Sequence, residues 1–144
     1  MIIDSLLEFA DSQDIGSLTA AGDADANAST NVLDLGAAGD AYDELYLHIL
    51  IDGEAVAGTS STVQFYLQAS ATTTFNATFA TGAIWNSDAI AEATLVDGYK
   101  VATVRLPKPD VALRYLRLAY DVGTANLTAG MVSAFLSPSL DTNT

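Results

Sequence analysis

The sequence predicts a single-domain, all-β protein, an antiparallel sandwich or barrel of about eight short strands. Three observations lead to this prediction. Apolar residues recur at every second position in several segments, as expected for strands with one buried face. Residues that favour turns (Gly, Pro, Asn and Asp) separate these segments. Apolar stripes at the helical period are scarce, whereas Thr, Ser and Ala are abundant.

The alternation is clearest in the segments 45–51, 63–68, 99–106, 116–120 and 128–136. Asp52-Gly53 reads as a turn that ends the first of these strands. Pro107 and Pro109 end the third, because proline cannot donate a hydrogen bond to a sheet. Three weaker strands are predicted at 15–20, 30–35 and 79–85.

The remaining segments are predicted as connections and termini. Residues 2–10 read as an apolar arm or a short helix, and residues 89–93 as a single turn. The segments 20–29 and 36–43 read as loops, and the tail beyond Pro138 as frayed. No linker or internal repeat divides the chain, so we expect one domain, residues 1–144.

Charge is the most informative bulk property. Eighteen acids stand against five bases, for a net charge of −13, and all five bases lie between Lys100 and Arg117. Such a charge repels nucleic acid and anionic membranes, so neither is an expected partner. No apolar run is long enough to cross a bilayer.

We expect no catalytic residues. A Ser-His-Asp triad needs an accessible imidazole, and the single histidine, His48, lies mid-strand and is expected to be packed or interfacial. One His and no Cys cannot form a zinc site. No pair of carboxylates is singled out for acid and base roles, so a hydrolase is a remote third hypothesis. No cofactor is predicted.

One spacing resembles a calcium-binding loop, since Asp23, Asp25, Asn27, Asn31 and Asp34 stand at its ligand positions. Ala28 occupies the place where such a loop needs glycine, and no flanking helices are predicted. We therefore predict a solvated acidic loop without a metal site.

A different function class is suggested by aromatic residues. A β-sandwich with an aromatic platform could recognise a host glycan, and the candidates for this platform are Tyr46, Tyr66, Trp85 and Tyr115. This carbohydrate-binding module is the alternative to the reading that follows.

Read end to end, the chain resembles the capsid cement (decoration) proteins of tailed phages. The resemblance is closest in the last third of the chain. It lies in Arg105-Leu106-Pro107, Arg114 to Tyr120, Gly123-Thr124 and Thr128 to Leu136, and more weakly in Ile3-Asp4 with Leu7 and in Asn31 to Gly36. The acidic segment 22–27 looks like an insertion relative to the family's pattern.

The resemblance implies a jelly-roll β-sandwich on the outer capsid surface of the virion. Such a protein binds the major capsid protein, forms small oligomers near symmetry axes and holds neighbouring capsomers together. The implied role is structural and not enzymatic. It agrees with the acidic composition, because a protein outside the shell needs no nucleic-acid surface.

Two sets of residues are candidates for partner binding. The first is a basic hairpin, in which Arg105 and Arg117 lie on adjacent strands and share an exposed face; its cations are Arg105, Lys108, Arg114 and Arg117. The competing reading is that these arginines pair with the chain's own carboxylates. The second set is the apolar N-terminal arm, which contains Ile2, Ile3, Leu6 and Leu7. Together with Phe9, these residues also predict a homo-oligomer, with a dimer ahead of a trimer.

Overall fold

The computed structural model describes residues 8–34, 45–57, 59–106 and 114–137. Within these ranges it has nine strands and a short 3-10 helix at Glu92–Thr94. The strands are β1 (Glu8–Asp14), β2 (Leu33–Asp34), β3 (Tyr46–Ala57), β4 (Thr62–Ser70), β5 (Ala83–Asn86), β6 (Ile90–Ala91), β7 (Lys100–Arg105), β8 (Tyr115–Gly123) and β9 (Leu127–Ser137).

The strands form two antiparallel sheets. Sheet A has the order β1-β9-β3-β7, and sheet B has the order β2-β8-β4-β5, with the short β6 also paired to β4. Apart from β6, this strand order is that of a jelly roll, in which each sheet combines strands from both ends of the chain. The structure confirms the predicted antiparallel β-sandwich.

The core lies between the sheets and is built from alternate positions of the long strands. In β3, Leu47, Ile49 and Ile51 are buried, and their register partners in β9 are buried with them. In β8 the same alternation buries residues 116, 118, 120 and 122. The largest side chains that are fully buried are Tyr120, Phe9, Phe65, Ile15, Leu47, Ile49, Ile51, Leu67, Leu95, Leu116, Leu118 and Leu136.

The turn predicted at Asp52-Gly53 is wrong, because β3 continues through both residues to Ala57. The register between β3 and β9 shifts on either side of Gly53, which marks an irregularity of the bulge type. A Cβ atom at Gly53 would lie 2.9 Å from the Cβ of Met131. The glycine therefore permits a close approach between two strands and does not reverse the chain.

The strand predicted at 15–20 is also wrong, because the structure has turns within these residues. Its first strand, β1, lies earlier, at Glu8–Asp14. β1 pairs with β9 through two register shifts, and Ser12, within the second of them, has a left-handed φ of 48°. These irregularities break the period-2 pattern by which a strand is predicted. The helix alternative for residues 2–10 is wrong at residues 8–10, and residues 2–7 lie outside the described residues.

The structure agrees only in part with the predictions for the shorter elements. The strand expected at 30–35 is the two-residue β2, and that at 79–85 is β5, which begins later. The single turn expected at 89–93 is a short strand followed by the 3-10 helix. The loop at 36–43 and the tail beyond Pro138 lie outside the described residues, as does the hairpin's connection, 107–113.

Candidate functional site

Arg117 on β8 is the centre of a buried polar cluster. Its position faces away from the core, yet the residue is only 7% exposed. Nε donates to Oε1 of Gln68 on the neighbouring strand β4 at 2.8 Å, and an NH2 group donates to Oδ1 of Asp25 at 2.8 Å. The guanidinium also lies over the ring of Phe75, 4.7 Å from its centroid. Arg117 therefore fastens two loops onto sheet B.

Gln68 extends the same cluster into the loop that precedes β5. Its Nε2 lies within hydrogen-bond distance of the backbone carbonyls of Asn76, Thr78 and Phe79, at 3.1–3.2 Å. Arg117 donates to the Asn76 carbonyl as well, at 3.3 Å. Two side chains of sheet B thus bind backbone carbonyls of this loop.

Arg114, like Arg117, forms an ion pair with an aspartate, but this pair lies at the surface. Its Nε and NH2 groups donate to the two carboxylate oxygens of Asp34 at 2.5 and 2.7 Å, with both side chains about half exposed. The hydrogen bond to Asp34 is the main reason that the pKa of Arg114 is raised. Two of the candidate cations therefore pair with the chain's own acids, as the competing reading predicted.

The proposed arrangement of the basic hairpin is wrong in its geometry. β7 pairs with β3 in sheet A, whereas β8 pairs with β4 in sheet B, so Arg105 and Arg117 lie in different sheets. Arg117 is also buried. Whether any of these residues binds a partner stays a prediction; Lys108 and the N-terminal candidates Ile2, Ile3, Leu6 and Leu7 lie outside the described residues.

Arg105 and Lys100 form a smaller basic surface on the edge strand β7. They are five residues apart, which in a regular strand would place them on opposite faces. A register shift in the β3–β7 pair changes this, so that Arg105 lies opposite Tyr46 and Lys100 opposite Leu50. Tyr46 and Leu50 share the outer face of sheet A, and both cations are exposed there.

Beside this edge, the outer face of sheet A contains a cavity of about 240 Å³. The described residues that line it come from all four strands of the sheet and include three acids, Glu8, Asp11 and Asp52, and one base, Lys100. His48 lies in its wall, buried and stacked on Phe135 with ring centroids 4.9 Å apart. The expectation of a packed His48 is confirmed.

A second polar cluster joins three strands at the same cavity. Asp52 Oδ2 accepts hydrogen bonds from the hydroxyls of Ser12, at 2.7 Å, and Ser133, at 2.6 Å. The backbone N–H of Ser12 donates to Ser133 Oγ at 2.9 Å. Because Ser133 contacts the carboxylate directly, and not through His48, these residues do not have the geometry of a catalytic triad.

This cavity cluster was not predicted from the sequence. Its members stand far apart in the chain, and the sequence pattern predicts a turn at Asp52. Asp52 and Ser133 occupy outward positions of β3 and β9, where the alternation places solvated polar residues, so no signal in the sequence distinguished them.

The residues with calcium-loop spacing have several different roles. Asp23 Oδ1 accepts the backbone N–H groups of Asp25 and Ala26 at 3.1 and 2.9 Å, and Asp25 binds Arg117. Asn27 is buried and donates to the carbonyl of Thr19, while Asp34 holds Arg114. Among the residues that the structure describes, no three His, Asp or Glu side chains are grouped to hold a metal ion.

The four aromatic residues of the alternative reading do not form one platform. Tyr46 lies in sheet A and the other three lie in sheet B. Trp85 stands opposite the core residue Leu67 and packs against the core, whereas Tyr66 lies on the outer face and contacts Phe79. All four are partly buried.

Comparison with known proteins gives one family. The family model Bbp16 matches residues 9–136, which spans the strands from β1 to β9. No curated protein matches the chain. Within the described ranges, no helix is both long and apolar enough to span a membrane.

Proposed function

The chain belongs to the Bbp16 family, and from that premise we propose that it is a capsid cement protein. It binds the outside of an icosahedral phage capsid and stabilises contacts between subunits of the major capsid protein. The family's name points to a phage-related protein, which supports the phage association. The position on the capsid rests on the resemblance in sequence and on the arguments below.

One observation carries the structural role: the polar clusters of the described residues hold the fold together. Arg117 and Gln68 fasten loops to sheet B, and Asp52 joins β1, β3 and β9. Such links between strands and loops suit a protein that connects neighbouring capsid subunits, where many modest contacts add up through avidity.

Charge supports a place outside the shell. A net charge of −13 disfavours contact with packaged DNA, and it favours docking on a basic or neutral surface. Against this acidic background, Arg105 is an exposed cation on the edge strand β7, in a position to meet an acidic group of a partner.

The first experiment is electron microscopy of virions with and without the chain's gene. We expect extra density on the capsid surface that disappears on deletion and returns when purified protein is added to the bare capsids. On heating, virions that lack the chain should also release their DNA at a lower temperature than wild-type virions do. Capsids that are identical in both preparations would refute the proposal.

The second experiment tests the docking edge. Arg105→Glu should lower capsid occupancy while Arg105→Lys, which keeps the charge, should retain it, and wild-type binding should weaken as salt rises. Arg114→Gln, at the other sheet, is the comparison variant. Normal occupancy by a folded Arg105→Glu protein would move the docking surface elsewhere, with the apolar arm (Ile2, Ile3, Leu6 and Leu7) as the next candidate.

A further inference from the structure

We infer that the cavity on the outer face of sheet A receives one basic side chain, lysine or arginine, from the protein on which the chain docks. This inference rests on the proposed function, because it assigns a binding site for the capsid partner. It concerns residues that play no part in the basic edge tested above, apart from Lys100 at the rim.

The size of the cavity limits the occupant. At about 240 Å³ it is smaller than the roughly 300–1,000 Å³ that is typical of pockets for drug-sized ligands. It also lacks an open aromatic platform for a sugar, because Phe135 is buried and stacked against His48. A single long side chain fits such a site better than a larger ligand does.

The charge of the lining selects the chemistry. The described lining contains three acids, Glu8, Asp11 and Asp52, and one base, Lys100, so it has an excess of negative charge. The chain's overall charge adds to this field. A cation with a flexible apolar stem would place its charge among the carboxylates and its stem against Phe135 and Leu50.

Asp52 supplies an independent observation. Its Oδ2 is occupied by two serine hydroxyls, whereas its Oδ1 is buried and accepts no hydrogen bond from the residues that the structure describes. A buried carboxylate oxygen without a donor is costly. Because Oδ1 has almost no accessible surface, a cation in the cavity would act on it through charge attraction to the Asp52 carboxylate and not through a direct hydrogen bond.

The test uses model side chains and the chain's single histidine. N-acetyl-lysine amide and N-acetyl-arginine amide are titrated into the full-length protein, with uncharged N-acetyl-norleucine amide as the control. Because His48 is the single histidine of the chain, its ring protons can be followed by NMR in unlabelled protein. We expect millimolar binding of both basic probes and none of the norleucine compound.

Matched variants locate the binding. Glu8→Gln with Asp11→Asn should weaken both basic probes about tenfold, as expected for two partly exposed charge contacts. Asp88→Asn with Asp97→Asn removes the same charge from exposed positions outside the cavity lining and should leave affinity unchanged. Equal weakening by the two pairs, or equal shifts from the norleucine probe, overturns the inference.

Capsid occupancy separates this inference from the proposed function. Glu8→Gln with Asp11→Asn should lower occupancy on capsids from which the chain's gene was deleted, whereas the Asp88, Asp97 pair should not. Full occupancy by the first pair overturns the inference and leaves the cement function standing. Failure of the wild-type chain to bind capsids overturns both.

Discussion

The hydroxyl of Tyr120 on β8 donates a hydrogen bond to Oε1 of Gln13 on β1 at 2.9 Å, and so joins the two sheets. Gln13 also accepts the N–H of Thr30 and donates to the carbonyl of Ala28, at 3.2 and 3.0 Å. The ring of Tyr120 is fully buried and packs edge-on against Phe65, with centroids 5.6 Å apart. One side chain therefore combines core packing with a link between β8, β1 and the segment before β2.

Tyr120 predicts a loss of stability in alkali. Burial raises its pKa above the ordinary value of 10.0, so the folded state favours the neutral phenol. This contribution to stability is fully present below pH 10.0, and it is lost as the pH rises above that value, because only the unfolded chain ionises readily. The melting temperature of the wild type should fall steeply as the pH is raised above 10.0.

Tyr120→Phe is the matched variant for that prediction. It should cost about 1 kcal/mol at neutral pH, through loss of the bond to Gln13. Its melting temperature should then depend less on alkaline pH than that of the wild type. Tyr66→Phe is the comparison variant. Burial, and then the charge of Asp121, raise the pKa of Tyr66, but this residue is only partly buried. Tyr66→Phe should therefore change the pH dependence of the melting temperature less than Tyr120→Phe does. Parallel wild-type and Tyr120→Phe profiles would contradict this assignment.

The two ion-paired arginines should differ in their effect on stability. Arg117→Met keeps the stem but leaves Gln68 Oε1 without its donor, and should destabilise the protein by about 2–4 kcal/mol. Arg114→Met, at an exposed ion pair, should leave the melting temperature close to that of the wild type. Denaturant unfolding of both variants checks this, and equal losses would refute the buried role of Arg117.

The sequence predicted the sandwich and most of the long strands, because their alternation reflects burial on one face. It failed where strands are irregular. β1 has two register shifts and a left-handed Ser12, and β3 passes through Asp52-Gly53 by a close approach to Met131. Turn residues and bulge residues have similar compositions, so a single sequence does not separate them.

The site was harder to predict than the fold because it depends on which strands become neighbours. Arg105 and Arg117 are close in sequence, but the jelly roll sends their strands to different sheets. Arg117 occupies an outward position by parity, and the loops that carry Asp25 and Phe75 cover it there. Loop placement over a sheet leaves no periodic signal in the sequence.

Calcium should not stabilise the protein selectively. Asp25 and Asp34, two residues of the calcium-loop spacing, each bind a different arginine. Melting temperatures with excess calcium and with chelator should coincide when sodium chloride equalises the ionic strength. A calcium-induced rise in the wild type that is absent from Asp25→Ala would contradict this, since a bound ion must stabilise the folded state.

The chain should form a homo-oligomer, with a dimer ahead of a trimer. The apolar residues of the N-terminal segment are the reason for this prediction. Ile2, Ile3, Leu6 and Leu7 lie outside the described residues. The expectation that Phe9 adds exposed apolar surface is wrong, because Phe9 is fully buried in the core. Light scattering at micromolar concentration should give a mass above 15.0 kDa. Simultaneous replacement of Ile2, Ile3, Leu6 and Leu7 by serine should lower that mass. A monomeric wild-type chain, both free and on capsids, would exclude the prediction.

Asp52 should hold the edge strand β1 in place. Its Oδ2 accepts hydrogen bonds from Ser12 of β1 and Ser133 of β9, while Asp52 itself belongs to β3. The left-handed φ of Ser12 is unfavourable for a residue with a side chain, and these bonds offset its cost. Asp52→Ala should therefore destabilise the protein by about 2 kcal/mol.

Hydrogen exchange distinguishes this local role from general destabilisation. Amides of β1 should exchange faster in Asp52→Ala than in the wild type, by a larger factor than amides of β8, which lies in the other sheet. Glu54→Ala, an exposed acid on the same strand, is the control and should leave both rates unchanged. Exchange that accelerates equally in β1 and β8 would show that Asp52 supports the whole sandwich; unchanged exchange in β1 would show that the two serines do not depend on it.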